Sequence, residues 1–93
     1  MAKIQRKYPG KSAAEIFEKV DGLMEKLAAK MHLHYQKDAA SRTGKVHKMG
    51  VTGQYVAHDG EVTVDLHFPM LIPGSMKKQV TEDIEKKLDG LFA

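Results

Sequence analysis

The sequence contains no cysteine and no tryptophan, only three prolines, and 6% aromatic residues. Without cysteine there is no disulfide framework, no thiolate nucleophile and no Cys-based zinc site, and a reducing compartment is compatible. The scarcity of aromatic side chains leaves few stacking platforms for single-stranded nucleic acid. Long apolar runs are also missing. The longest is Phe68-Pro69-Met70-Leu71-Ile72-Pro73, far short of the ~20 residues that a membrane span requires. The opening residues, Met1 to Lys7, contain no apolar stretch of the kind a secretory signal carries, so a cytoplasmic location is expected. No Walker loop, G-x-G-x-x-G loop or G-x-S-x-G elbow occurs, and no paired carboxylates suggest acid–base work. No enzymatic activity and no cofactor are therefore expected.

The 93 residues suffice for one domain, residues 1–93, whose core is modest enough for a homodimer or partner surface to supplement it. A hydrophobic fraction of 42% and a charged fraction of 29% are ordinary for a globular domain. The net charge of +3 attracts anionic surfaces only weakly.

Periodicity gives the elements. Ser12-Ala13-Ala14-Glu15 reads as a capping box. The apolar residues Ile16, Phe17, Val20, Leu23, Met24, Leu27, Ala28 and Met31 then recur at threes and fours, which predicts a helix over 13–31. Residues 3–8 alternate loosely and read as a short strand with Ile4 and Tyr8 on one side, interrupted by Arg6. Asp59-Gly60 is a strong two-residue hairpin signal. It pairs Ala57 with Val62, Tyr55 with Val64, Gly53 with Leu66 and Val51 with Phe68 on an apolar side. It pairs His58 with Glu61, Val56 with Thr63, Gln54 with Asp65 and Thr52 with His67 on a polar side. A turn at Met49-Gly50 sets Val46 beside Gly53 and His47 beside Thr52. Residues 32–36 read as an outer strand, with Asp38 to Gly44 as its loop. Pro73-Gly74-Ser75 introduces a second helix over 75–90, with Ser75 as a helix-start residue. Each helix and the sheet have one apolar face. The expected fold is α+β: an antiparallel β-sheet of four to five strands with both helices packed on one face.

Three groups are candidate sites. The apolar connection Phe68, Met70, Leu71 and Ile72 exceeds what a tight loop needs. Most of it is expected to close the core, and part to form a contact site, for which methionine is well suited. Lys3, Arg6, Lys7 and Lys11 form a candidate anion patch. The lysine pairs at 77–78 and 86–87 do not share one helix face and are interleaved with carboxylates, so nucleic acid is not the favoured partner. His47 and His67 flank Thr52 in one row, and His32 joins that row if the loop spans 38–41. A transition metal could use such a row, but solvated polar residues on an open sheet face are the preferred reading.

The chain also resembles a known family. Ile4-Gln5-Arg6-Lys7, the Ala-Ala-Glu start at 13–15, Leu27-Ala28 before Leu33-His34-Tyr35, and Gly50-Val51-Thr52-Gly53 carry the likeness. So do Asp59 to Val64, the proline-containing 68–73 stretch and Lys87-Leu88-Asp89. Together they resemble the polyhydroxyalkanoic acid system family, small bacterial proteins also described as granule-region proteins. The chain departs from that family in having Tyr8-Pro9-Gly10-Lys11 before the first helix and no Trp in the first hairpin. The resemblance implies a partner in storage-polyester metabolism, either the granule surface or a granule-associated protein. It implies no reaction and no catalytic residues.

Overall fold

In the computed structural model, which describes residues 2–48 and 50–92, the capping signal at Ser12 starts the first helix. Helix α1 runs over Ala13–Met31. Ser12 Oγ accepts from the Glu15 backbone N–H at 3.2 Å and lies 3.3 Å from Glu15 Oε1, to which it donates. Only half of the expected reciprocal box forms. Asp59 supplies another start bond: its Oδ1 accepts from the Ala13 N–H at 2.8 Å. At the other end His32 turns left-handed at φ 57° and its N–H returns to the Ala28 carbonyl. Histidine tolerates that conformation better than a β-branched residue would.

The sheet has five antiparallel strands in the order β1-β5-β4-β3-β2. They are β1 (Ala2–Lys7), β2 (His34–Asp38), β3 (Thr43–Lys48), β4 (Val51–His58) and β5 (Glu61–His67). The β4–β5 register is the one Asp59-Gly60 dictates, from His58↔Glu61 to Thr52↔His67, with Gly60 at φ 75°. The ladder stops there, so Phe68 follows the strand rather than pairing with Val51. The β3–β4 pairs Val46↔Gly53 and His47↔Thr52 are also as expected. The first strand covers residues 2–7 rather than 3–8 and pairs with β5, placing Ile4 beside Val64 and Arg6 beside Val62.

The outer hairpin is the main correction. Its loop is residues 39–42, not 38–44, and Asp38 pairs with Thr43. Asp38 Oδ1 accepts from the Ala40 N–H at 3.0 Å, and Arg42 takes the left-handed bend at φ 55°. A side-chain–backbone turn thus does here what a glycine turn does elsewhere. The consequence is that His34, not His32, opposes His47.

Helix α2 covers Gly74–Asp89. Its N-cap is Pro73 and no side chain caps it, so Ser75 lies inside the first turn without the start role expected of it. Both helices lie on the same face. The core between α1 and the sheet is Ile16, Val20 and Met24 against Ile4, Tyr55, Ala57, Val62, Val64 and Leu66, joined by Leu88 of α2. Each fully buried aliphatic side chain there contributes about 1.5–3 kcal/mol relative to exposure. Gly53 permits close packing of its own sheet neighbours: an added Cβ would sit 3.2 Å from Val46 Cγ2 and 3.3 Å from Leu66 Cδ2. Gly44 is stricter, because a Cβ there would overlap the Tyr55 ring.

Candidate functional site

The face of the sheet away from the helices follows from the period-two alternation. Its rows are Lys7–Glu61–His58, Gln5–Thr63–Val56–Thr43–Asp38, Lys3–Asp65–Gln54–Lys45–Gln36 and His67–Thr52–His47–His34. Opposite charges are cross-strand neighbours at Lys3/Asp65 and Lys7/Glu61, an arrangement suited to a solvated surface. The His34 and His47 rings stack with centroids 4.8 Å apart and planes at 15°. His67 lies two strands from His47, across Thr52, and His32 caps α1 outside the row. Among the described residues no group of three or more His, Asp or Glu is gathered closely enough to hold a metal ion.

The four candidate anion-binding residues do not converge. Lys3 and Lys7 lie on the open face, whereas Arg6, one residue out of phase, faces α2. Its guanidinium donates to Glu85 Oε2 at 2.6 Å and to Asp89 Oδ1 at 2.7 Å. Those bonds, the one to Glu85 first, hold the guanidinium pKa above its already high value. Lys11 instead sits over the Phe92 ring, Nζ 5.1 Å from the centroid.

The apolar connection divides. Phe68 packs against the core and Ile72 is half-buried. Met70 and Leu71 are each 96% exposed. The chain turns back here, the Ile72 N–H reaching the Pro69 carbonyl at 3.2 Å, so residues 70 and 71 form the outermost bend. Two further large apolar side chains, Met31 at 51% and Met76 at 50%, are also exposed. An apolar surface of this kind costs solvation free energy unless something covers it.

The sequence profile described as "Putative polyhydroxyalkanoic acid system protein" matches residues 4–92. The chain belongs to that family. Comparison with curated proteins and with solved structures gave no match. The family assignment thus spans all but the first two described residues, including the exposed bend, and no catalytic or binding residue comes with it.

Two side-chain clusters escaped the sequence reading. Beneath α1, Tyr35 Oη donates to Asp21 Oδ1 at 2.8 Å and lies 2.6 Å from Tyr55 Oη. Lys37 Nζ reaches Glu25 Oε1 at 2.7 Å and Asp21 Oδ2 at 2.9 Å. Burial raises the pKa of both tyrosines, and for Tyr35 the bonds to Tyr55 and Asp21 add to it. The bonds to Glu25 and then Asp21 raise that of Lys37. The available signal was the carboxylate pair at i and i+4 on α1, but its partner strand could not be placed without the β2 register. The second cluster holds the end of α2. Tyr8 Oη donates to the Leu88 carbonyl at 2.7 Å, and the Tyr8 ring meets Phe92 edge-on. Burial pushes the Tyr8 hydroxyl up to about 12. Both clusters fasten helices to the sheet.

Proposed function

We propose that this protein is a non-enzymatic, cytoplasmic binding protein of the storage-polyester system, and that it attaches to the polyester granule or its coat through the bend at Met70 and Leu71. The observation that carries the reading is the near-complete exposure of these two side chains in a chain that belongs to the polyhydroxyalkanoic acid system family. Exposed, unbranched or γ-branched apolar residues on a proline-bounded bend can adapt to an irregular apolar surface without disturbing the core. No helix among the described residues is long and apolar enough to cross a membrane, so attachment would be from one side.

The test is co-flotation of purified protein with polyester granules. Wild-type protein is expected to float with them at both low and high salt. A Met70→Ser/Leu71→Ser variant, which touches no core side chain, is expected to stay in the soluble fraction with an unchanged circular dichroism spectrum. Equal flotation of wild type and variant would reject the bend as the contact site, and absence of wild-type flotation would reject direct granule attachment.

A further inference from the structure

Several pieces of chain meet at the end of the molecule that carries Met70 and Leu71. Lys48 Nζ donates to the Met31 carbonyl at 2.6 Å and so ties the end of α1 to the end of β3. Gly50, in the connection between β3 and β4, lies against the 68–73 segment, where an added Cβ would be 3.1 Å from Pro69 Cγ. The row His34–His47–Thr52–His67 closes the sheet at this end, and the first turn of α2 leaves from it.

Charge is distributed unevenly with respect to this end. Its residues all fall within 26–37, 39–58 and 66–81, and none of these stretches contains an Asp or Glu. On the open face the first carboxylate inward is Asp65, which has Lys3 as its cross-strand neighbour. The cations present are Lys30, Lys48, Lys77 and Lys78; the nearest carboxylate along α2 is Glu82, one turn beyond Lys78, and none of the described ion pairs engages any of the four. Lys26, Lys37, Arg42 and Lys45 also fall in those stretches, Lys37 paired with Asp21 and Glu25, and the other seven Lys and Arg residues are interspersed with the twelve carboxylates in the rest of the chain. The start of α2 adds to the same sign, because its first-turn N–H groups have no side-chain cap and no acidic neighbour in that turn.

An exposed apolar bend with lysines at the same end of the molecule matches a surface with anionic groups outside and an apolar layer beneath. We propose that this end of the protein docks on an anionic phospholipid surface, with Lys77 and Lys78 among the headgroups and Met70 and Leu71 in the acyl boundary. The inference rests on residues 68–73 being the contact segment. It adds a requirement for negative headgroups that adsorption to bare polyester does not have.

The full chain should be sedimented with phosphatidylcholine vesicles, with vesicles containing about one third phosphatidylglycerol, and in parallel with lipid-free polyester particles. Retention on the polyester particles is expected, and among the vesicles binding is expected only to the anionic ones. It should fall by about tenfold or more when salt rises from ~0.1 M to ~1 M and the screening length shrinks from ~10 Å to ~3 Å. Lys77→Glu/Lys78→Glu and Met70→Ser/Leu71→Ser should each abolish it while both keep the wild-type circular dichroism spectrum. Equal binding to both vesicle types, or none to the anionic ones, overturns the proposal. So does sensitivity to the lysine changes without sensitivity to the apolar ones, which describes general cation attraction. Retention on bare polyester without vesicle binding leaves the granule reading standing and removes this one. Vesicle binding without polyester binding does the reverse.

Discussion

The two helices lie on the same face of one sheet and are held in different ways. Helix α1 is capped at both ends, buries Ile16, Val20 and Met24, and is fastened below by the Asp21–Tyr35–Tyr55 cluster. Helix α2 has no side-chain cap at its start and buries only Leu88. Its anchorage is concentrated in its second half, where Arg6 bonds Glu85 and Asp89, and Tyr8 bonds the Leu88 carbonyl. The first half of α2 follows the exposed bend and carries the half-exposed Met76. One helix therefore builds the domain. The other is fixed at one end and at the other end leaves apolar residues exposed. A domain with so small a core can surrender apolar surface only where the framework does not depend on it, and the first half of α2 is that place.

The largest expected effect that sharpens this contrast comes from truncating the two helices. Ile16→Ala should cost about 2–5 kcal/mol in urea unfolding, because it leaves a cavity beneath α1. Val80→Ala, at a half-buried position on the first half of α2, should cost under about 1 kcal/mol. Equal losses would mean that α2 is packed as firmly as α1 along its whole length.

Alkaline pH should loosen both helices. Arg6, Tyr8, Tyr35, Lys37 and Tyr55 all hold their protons more tightly in the folded chain than their ordinary values imply. The folded state then binds more protons than the unfolded state. The stability these groups contribute is complete below their ordinary pKa values and is lost as pH rises through the folded ones. For Tyr8 the window runs from 10.0 to about 12. Tyr8→Phe should flatten the decline in that window, on the α2 side, and Tyr35→Phe should flatten it on the α1 side. Urea midpoints followed upward from about pH 8 would separate them, and identical profiles for wild type and Tyr8→Phe would refute the Tyr8 anchor as a titrating contact.

The smallest difference should appear at the helix starts. Ser12→Ala should cost about 1 kcal/mol by removing the oxygen that accepts from Glu15. Ser75→Ala should stay within about 0.5 kcal/mol, since no side chain caps α2. Thermal melts that ranked Ser75→Ala as the more damaging change would reverse the assignment of the framework helix.

Legibility in the sequence varied with the range of the interaction. Helix α1 and the β3–β4–β5 registers were readable because Ser12, Gly50 and Asp59-Gly60 fix them locally. The β2 register was not, because Arg42 takes a left-handed bend that composition does not announce, and the error moved His32 into a row that His34 occupies. The apolar connection was recognised as unusual. Sequence alone could not divide it into the packed Phe68 and the exposed Met70 and Leu71, since both kinds of residue are equally apolar. Arg6 belonged in the sequence reading to an anion patch, and only the phase of β1 against α2 shows that Glu85 and Asp89 already engage it.

The sequence by itself determined the α+β class, the two apolar helix stripes and the family, because periodicity, turn chemistry and short motifs are written in neighbouring residues. The tertiary structure decided which apolar residues are left over and which cations are left unopposed. Burial and charge pairing join residues as distant as Arg6 and Asp89, and Lys48 and Met31, and such contacts exist only once the chain has closed on itself.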